Sequence, residues 1–449
     1  MSSISTTVKK IKDLISNKEE TFEISQEFKD CVSSMEETNL NLFITGKAGT
    51  GKSTLIDYFR NTTKKKTVVL APTGLAAINV RGQTIHSFFH LPPRFMDPHM
   101  QMRTSTSRIY KDIDTIIIDE ISMVRADLFD ALDRFLRING KDKNLPFGGT
   151  QIIVVGDLFQ LPPIVTREEQ HIFHEFFESP YFFSSYAFSQ GKFSVIELTH
   201  IYRQKDEAYI SLLNKIRVGE VSVSDLELIN ERVVTHDFEK VRREYITLAT
   251  TNSVVAAIND SELNKINHPE FIYKAVTEGE FPTEDKTLPA ELELKLKKGA
   301  RVIFTKNDIG RRWVNGTSGV VEFLDKDKIR VKLNDPGFHE IVTVPIEEWE
   351  NIKYEFDREK DTVVPVVLGK LKQFPLKLAW AITIHKSQGM TFDKANIDFS
   401  RSPFTHGQTY VALSRCRTLT GMVVTKKIYL NDVMVDPRII EFSKKIYRM

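Results

Sequence analysis

Residues 41–54 read NLFITGKAGTGKST, and this stretch decides the fold of the chain around it. Residues 42–45 form an apolar run that predicts a buried strand, and a helical pattern begins at Ser53. Between them, Gly46 and Gly51 enclose four residues and are followed directly by Lys52 and Ser53. Glycines let backbone amides turn towards phosphate oxygens, the lysine adds a positive charge, and the serine hydroxyl is a Mg²⁺ ligand. The spacing predicts a phosphate-binding loop.

A second motif, IIIDE at residues 116–120, places two adjacent carboxylates at the end of an apolar strand. Such a pair is costly to bury unless it serves a cation. We therefore expect Asp119 to hold Mg²⁺, directly or through water, and Glu120 to orient and deprotonate an attacking water. Together the two motifs predict hydrolysis of a nucleoside triphosphate.

The pattern around these motifs predicts the fold class. Continuous apolar runs of four to six residues are typical of buried parallel strands, and helical patterns follow them here. Strand, loop and helix in repeated order favour a doubly wound α/β domain. The strands are expected at residues 68–70, 115–118 and 151–155, and the helices at residues 53–59 and 127–136.

The character of the chain changes after about residue 270, where short alternating strands and turn signals predict a small antiparallel barrel. Buried-strand character then returns at residues 378–384 and 422–425. We therefore expect a second α/β domain with the β module inserted into it. The barrel strands are expected at residues 301–305, 319–323, 329–333 and 341–344.

Composition excludes several classes of protein. The chain has 449 residues, and at about 150 residues per domain this length suggests about three domains. Its two cysteines, Cys31 and Cys416, exclude a disulfide scaffold, and no apolar run approaches the roughly 18 residues of a membrane span. A net charge of +2 excludes a uniformly basic coat but leaves room for a local basic channel. An intracellular protein is expected.

Further blocks place polar side chains after the predicted strands. Gln160, in GDLFQLPP at residues 156–163, stands where it can sense a γ-phosphate. Arg203, in LTHIYRQ at residues 198–204, is suited to reach a phosphate. The other blocks are APTG at residues 71–74, GQTIHSF at 82–88, DEAYISLLNKIRVGE at 206–220, TIHKSQG at 383–389 and YVALSR at 410–415.

In this order the blocks resemble the motif series of superfamily 1 helicases. The block at residues 206–220 resembles a signature of the PIF-type family, which is related to RecD-like enzymes, and the resemblance covers about residues 22–420. It implies an α/β fold of two RecA-like P-loop motor domains, with a small wedge insertion in the first and a β-barrel insertion in the second. The implied boundaries are residues 1–90 and 112–197 for the first motor, 91–111 for the wedge, 198–267 and 371–449 for the second motor, and 268–370 for the barrel.

The resemblance also implies roles at a nucleotide site for ATP and Mg²⁺. The implied catalytic residues are Lys52, Asp119, Glu120, the γ-phosphate sensor Gln160, and two arginine fingers, Arg203 and Arg415. Ser53 and Asp119 would hold the metal, and Gln26 is the candidate for reading adenine. The implied ATP-binding residues are Gln26, Gly46, Gly49, Thr50, Gly51, Lys52, Ser53, Thr54 and Gly389.

A nucleic-acid surface is implied on the other side of the motor. Residues 91–103, LPPRFMDPHMQMR, resemble the family's duplex-splitting wedge, with Phe95 or Pro93 at its point, and a packed surface loop is the alternative. The implied DNA-binding residues are Thr73, His86, Phe95, Asn252, Lys306, Thr383, His385 and Lys386.

The resemblance implies an ATP-dependent DNA helicase that moves 5′ to 3′ on single-stranded DNA. The expected partners are single strands and forked or tailed duplexes, with G-quadruplexes and RNA–DNA hybrids left open; no membrane partner is expected, and the protein is expected to be a monomer in isolation. The compartment would be cytoplasmic in a bacterium, and nuclear or mitochondrial in a eukaryote. Two alternatives remain: an RNA helicase, since stacked bases do not report the sugar, and a non-motor P-loop switch that binds a protein.

Overall fold

The computed structural model describes residues 25–446 except residues 205, 237, 282–287, 309, 311, 314, 335–340 and 358–361. The first part of the described chain alternates strands and helices. Its strands are β1 (Leu42–Gly46), β2 (Thr67–Ala71), β3 (Gln83–Thr84), β4 (Thr115–Ile118), β5 (Gln151–Gly156) and β6 (Ser194–Leu198). Its helices are α1 (Gln26–Glu37), α2 (Lys52–Thr62), α3 (Gly74–Asn79), α4 (Ile85–Phe88), α5 (Ile109–Asp112), α6 (Ala126–Asn139), α7 (Arg167–Phe176) and α8 (Tyr186–Gly191).

These six strands form one parallel sheet in the order β3-β2-β4-β5-β1-β6. Both faces of the sheet are covered, as β4 shows. Ile116 and Ile118 pack into one core cluster, Ile117 packs into another on the opposite face, and all three are fully buried. Since neighbouring residues of a strand point to opposite faces, every position must be apolar. We call residues 25–198 the first unit.

The rest of the described chain mixes helices with many short strands. Its helices are α9 (Glu207–Val218), α10 (Val223–Asn230), α11 (Phe238–Glu244), α12 (Asn252–Lys265), α13 (Gln408–Leu413) and α14 (Pro437–Ile446). Its strands are β7 (Ile246–Ala249), β8 (Glu270–Lys274), β9 (Val276–Gly279), β10 (Glu293–Lys297), β11 (Arg301–Phe304), β12 (Ser318–Leu324), β13 (Ile329–Leu333), β14 (Ile341–Val344), β15 (Glu347–Asp357), β16 (Thr362–Gln373), β17 (Leu376–Leu378), β18 (Ala381–Thr383), β19 (Ala395–Asp398) and β20 (Met422–Val424).

A second parallel sheet has the order β18-β7-β19-β20. Its first strand in the chain, β7, is separated from the other three by the segment that contains β8 to β17. We call this sheet with helices α9 to α13 the second unit, and strands β8 to β17 the β module. Among the described residues, no helix has both the length and the apolar character needed to cross a membrane.

The β module is antiparallel and has its own apolar core. Five strands pair in the order β14-β13-β12-β11-β17, and β8 pairs with β10. The long hairpin of β15 and β16, which sequence analysis missed, reaches the first unit. There the main-chain N–H of Tyr354 donates to Oε1 of Gln83 at 3.3 Å, and its ring packs edge-on against Phe88 at 6.1 Å.

One predicted strand is confirmed only in part, at residues 381–383. The apolar run at residues 378–384 is divided between two sheets, because β17 pairs antiparallel with β11 whereas β18 pairs parallel with β7. The chain changes sheet at Ala379 and Trp380, both of which are buried. Burial on both sides of the change keeps the whole run apolar, so the pattern did not reveal the break.

Two further segments matter for the site. Residues 91–111 contain little regular structure and are held to α6, where Nη2 of Arg134 donates to the carbonyl oxygen of Asp97 at 3.0 Å. The C-terminal helix α14 follows the second unit in sequence but packs against the first unit. The rings of Phe442 and Phe183 stack 4.1 Å apart, and the hydroxyl of Tyr181 donates to Asp436 at 3.0 Å.

Candidate functional site

The loop between β1 and α2 has the backbone shape that the glycines predict. Gly49 and Gly51 have φ angles of 86° and 85°, a region that residues with side chains rarely adopt. Helix α2 begins at Lys52, so its unpaired first amides and the loop amides open to one space. A Cβ atom at Gly49 would lie 2.5 Å from Cβ of Arg203, so the loop also touches the segment that follows β6.

The two acids follow β4 at the same edge of the sheet. Asp119 accepts a hydrogen bond from the main-chain N–H of Glu120 at 2.9 Å, and Glu120 has a φ of 50°. A left-handed conformation costs a residue with a side chain about 1 kcal/mol or more and is often found at functional sites. Burial, with the Glu120 charge, raises the pKa of Asp119 to about 7, and burial also raises the pKa of Glu120.

Two arginines face these groups from the other side. Arg203 donates from Nη1 to the carbonyl oxygen of Ser414 at 3.4 Å, and burial together with the Arg415 charge lowers its pKa to about 9. Arg415 donates from Nε to the carbonyl oxygen of Val411 at 2.9 Å, so its guanidinium rests on its own helix. Both arginines are therefore held near the loop with no carboxylate partner among the described contacts.

The loop, Glu120 and the two arginines line one cavity of about 640 Å³ between the two units. Among the described residues, Glu120 is the only carboxylate in the lining, against four cationic side chains, and such an excess of positive charge suits a polyanion. A nucleoside triphosphate fits this charge, and the Ser53 hydroxyl with the Asp119 carboxylate offers the oxygen ligands that Mg²⁺ prefers. The lining residues are Ala48, Gly49, Thr50, Gly51, Lys52, Ser53, Thr54, Glu120, Gln160, Tyr202, Arg203, Gly389, Thr391, Arg415, Arg417 and Thr418.

Most predicted nucleotide residues are brought together here, and three are not in the lining. Gly46 and Asp119 lie behind it, at the ends of β1 and β4. Gln26, on α1, is exposed and donates to Oδ1 of Asp30 at 2.6 Å, so its adenine-reading role stays a prediction. Sequence analysis missed Tyr202 and Arg417, although each lies within two residues of a predicted arginine.

The carboxyl ends of β7, β18 and β19 bring a second group of residues together. In an open parallel sheet this edge is where ligands bind. Asn252, which begins α12 after β7, and Lys386, after β18, are both exposed. Thr383 is buried, and its hydroxyl accepts from the main-chain N–H of Lys386 at 3.2 Å. Thr250 reaches the loop after β19 by donating to the carbonyl oxygen of Arg401 at 3.2 Å.

Phe404, in the loop after β19, was missed by sequence analysis. Its side chain is 61% exposed, and its ring lies parallel to that of His385, 6.4 Å away at an angle of 19°. Burial lowers the pKa of His385, which therefore tends to remain neutral. An exposed phenylalanine beside a half-buried imidazole forms an aromatic surface at the same edge of the sheet. The sequence signal for Phe404 was its place in a loop between a buried strand and the YVALSR block.

The first unit contributes two more predicted residues. Thr73 is exposed, and its hydroxyl caps α3 by accepting from the main-chain N–H of Ala76 at 3.2 Å. His86 lies in α4, where burial lowers its pKa, and its Nδ1 atom is buried without a hydrogen-bond partner in the described structure. Both residues follow strands β2 and β3 at the carboxyl edge of the first sheet.

The remaining two predicted DNA residues are engaged with the protein. Phe95 is half-buried, with its ring 6.0 Å from those of Phe173 and Phe176 on α7. Lys306 pairs with Glu347 at 2.9 Å and lies over the ring of Trp349. Pro93, the other candidate for the point of the wedge, is exposed. The roles of Phe95 and Lys306 stay predictions.

The two sheets and the cavity between them define a P-loop ATPase with the architecture of a helicase motor, and comparison with known proteins gives its family. A model of the PIF1-like helicase family matches residues 19–227. The ATP-dependent DNA helicase Pif1 of Campylobacter jejuni is 33% identical over 439 residues, which span 90% of this chain and 94% of that protein. The chain therefore belongs to the PIF1-like helicases.

Solved structures of Pif1 helicases are similar to this chain in both fold and sequence. The crystal structure of Bacteroides sp Pif1 in complex with ADP-AlF4 has a TM-score of 0.86 at 35% identity, covering 95% of this chain and 98% of that one. Bacteroides Pif1 bound to ssDNA has a TM-score of 0.66 at 35% identity, covering 95% and 97%. The predicted family, its RecA-like α/β fold and its enzyme class, a helicase, are confirmed.

Proposed function

We propose that the protein is an ATP-dependent DNA helicase that moves 5′ to 3′ along single-stranded DNA and separates duplexes. The observation that carries the proposal is the cavity between the units, with the phosphate-binding loop on one wall and Arg203 and Arg415 on the other. A site completed by two bodies is sensitive to their separation, so occupancy and hydrolysis can change how the bodies sit. Family membership supports the activity and is the ground for the polarity.

The side chains divide the hydrolytic work. Lys52 and the loop amides hold the β- and γ-phosphates, and Gln160 senses the γ-phosphate. Arg203 and Arg415 stabilise the charge that develops during phosphoryl transfer, and Glu120 takes the proton of the attacking water. Ser53 and Asp119 would hold Mg²⁺, which would neutralise phosphate charge and orient the triphosphate.

We infer that the nucleic-acid strand runs over the carboxyl edges of both sheets. Thr73 and His86 contact it from the first unit, and Asn252, His385 and Lys386 from the second, with Thr383 supporting the turn that carries the last two. Phe404 adds a surface on which a base stacks, a contact that tolerates any sequence. The ssDNA complex of the Bacteroides relative supports a single-stranded partner.

The domain assignment follows from this division. The first motor comprises residues 1–90 and 112–197, and the second begins with residues 198–267. The inserted β module runs to β17 and so ends at residue 378 rather than at the predicted residue 370, because β17 pairs with β11 of the module. The second motor resumes at residue 379, and helix α14 after it packs against the first unit. Residues 91–111 are the wedge, fixed to α6 through Arg134 and exposing Pro93 towards solvent. A rigid, exposed proline suits contact with the last base pair of a duplex.

Unwinding of tailed duplexes tests the proposal. We expect strand separation from a duplex with a 5′ single-stranded tail, in the presence of ATP and Mg²⁺, and none from a matched duplex with a 3′ tail. Glu120→Gln, which keeps the shape of the side chain but removes the base, is the inactive control. Unwinding from the 3′ tail alone would contradict the polarity, and ATP hydrolysis stimulated by RNA but not by DNA would contradict the substrate.

A further inference from the structure

A buried carboxylate of the first unit accepts hydrogen bonds from two side chains of the second unit and from the main-chain N–H of Phe159 in its own turn. Asp157, directly after β5, is 1% exposed. Arg217 on α9 donates to its Oδ1 from Nε at 3.1 Å and from Nη2 at 2.9 Å. The hydroxyl of Tyr410 on α13 donates to its Oδ2 at 3.1 Å. The two oxygens of one acid thus join helices α9 and α13 of the second unit to the first sheet.

The Tyr410 hydroxyl makes a second hydrogen bond, and this one reaches the phosphate-binding loop. It accepts from the main-chain N–H of Ala48 at 3.0 Å. A hydroxyl has a single proton, so donating it to Asp157 leaves the oxygen free to accept from the loop. Tyr410 is therefore a bridge between two parts of the first unit, built from a residue of the second.

The bridge is next to the predicted γ-phosphate sensor. The main-chain N–H of Gln160 donates to the carbonyl oxygen of Asp157 at 3.0 Å, so the two residues share one turn. Gly407, just before α13, packs so closely on this turn that a Cβ atom there would lie 2.3 Å from the carbonyl oxygen of Gln160. The Arg217 guanidinium covers the same turn, 4.2 Å from the centre of the Phe159 ring.

The buried charge of Asp157 is fully compensated only while the two units are in contact. Burial by itself would raise the pKa of Asp157, but the charges of Arg217 and Lys52 lower it below its usual range. A buried carboxylate that loses its partners is strongly disfavoured. Because helices α9 and α13 pack on each other, Arg217 and Tyr410 approach or leave Asp157 together.

We propose that Tyr410 is a positioning residue, whose hydroxyl aligns the phosphate-binding loop with the Asp157–Gln160 turn only when the two units are in contact. Hydrolysis then requires closure for a second reason besides delivery of the arginines. The inference rests on the proposed ATP-driven cycle but adds a residue to which no role has been given. Tyr410 does not touch the reacting groups and acts through Ala48 and Asp157.

Two tyrosine variants test this. Tyr410→Phe removes the bridging hydroxyl and keeps the ring. Tyr209→Phe is the matched control, because that hydroxyl is equally buried but donates to the carbonyl oxygen of Leu413 at 2.6 Å, within the second unit. We expect Tyr410→Phe to lower kcat for ATP hydrolysis at saturating single-stranded DNA about tenfold, with KM for ATP changed less than about twofold. Tyr209→Phe should keep the wild-type kcat.

A double variant shows whether the effect of Tyr410 on hydrolysis passes through Asp157. If Tyr410 acts through Asp157, adding Tyr410→Phe to Asp157→Asn should slow hydrolysis much less than it slows the wild type. The inference is overturned if Tyr410→Phe hydrolyses like the wild type, or if Tyr209→Phe is slowed as much, with melting temperatures matched in both cases. A wild-type enzyme that DNA does not stimulate would contradict the proposed function instead, and the comparison of the two variants without DNA would still decide the role of Tyr410.

Discussion

Lys52 donates a hydrogen bond from Nζ to the carbonyl oxygen of Gly46 at 2.7 Å, so without a phosphate its charge rests on the loop that it belongs to. Burial lowers the pKa of the ammonium, and the nearby Asp157 and Glu120 charges partly offset this effect. Lys52 is thus held at the N-terminus of α2 by a main-chain carbonyl group, which is a weak hydrogen-bond partner for a charge. A phosphate oxygen with full negative charge would replace it as a stronger acceptor.

Lys52→Ala should therefore abolish ATP hydrolysis, with kcat lowered by about 100-fold or more, because no other lysine of the part of the chain that the structure describes lines the cavity. Binding of a fluorescent single strand should change little, since the cavity that Lys52 lines includes none of the residues proposed to contact the strand. The measurements are steady-state hydrolysis and fluorescence anisotropy. Lys47→Ala, in the same loop but outside the lining, is the control, and normal turnover in Lys52→Ala would remove it from the site.

Arg203→Ala should separate nucleotide binding from hydrolysis. Loss of one arginine finger typically lowers kcat by about 10³–10⁵-fold, whereas the loop still holds the phosphates. Isothermal calorimetry with a non-hydrolysable analogue and a single-turnover assay give the two quantities. Arg203→Lys should not restore the rate, because an ammonium lacks the planar fork of the guanidinium. A variant that hydrolyses at the wild-type rate would exclude the role.

Phe404→Ala should weaken binding of single-stranded DNA by about 1–3 kcal/mol, the usual contribution of one stacked base. Phe404→Trp should bind as well as the wild type because it keeps a flat aromatic face. Tyr429→Ala serves as the control, since Tyr429 is equally exposed at 63% but lies outside the proposed path. Equal losses of affinity in the two alanine variants would show that the effect is not specific to the edge of the sheet.

Phe442→Ala should lower the melting temperature of the protein. The ring stacks on Phe183 and also meets Phe188 edge-on at 5.6 Å, so its removal leaves a gap between α14 and the first unit. Partial burial makes about 1–3 kcal/mol a reasonable cost. Differential scanning calorimetry measures the shift, with Tyr186→Ala as an exposed aromatic control. An unchanged melting temperature would mean that α14 contributes nothing to the stability of the first unit.

Local sequence patterns predicted which residues gather around the phosphate-binding loop. The phosphate-binding loop, Asp119, Glu120 and Gln160 each follow a buried strand, and apolar runs such as residues 115–118 show such strands directly. Parallel strands bring their carboxyl ends to one edge, so the residues after them must meet. To predict that these residues meet, it was enough to recognise each strand in the sequence.

The sequence did not reveal the contacts between distant segments. The division of residues 376–383 between two sheets is decided by β11 and β7, more than 70 residues earlier in the chain. In the sequence, Lys306 looks like an unpaired basic residue, whereas in the fold β15 places Glu347 beside it. Phe404 forms an aromatic surface only together with His385, which follows a different strand. A single sequence contains none of these pairings.

The course of the backbone limits how the cleft can move. The chain leaves the first unit after Leu198, and it returns at Asp436, where Tyr181 holds it and α14 adheres beyond. The second unit is therefore connected to the first at two places along the chain. Rotation about the line that joins these two connections disturbs them less than separation of the units does.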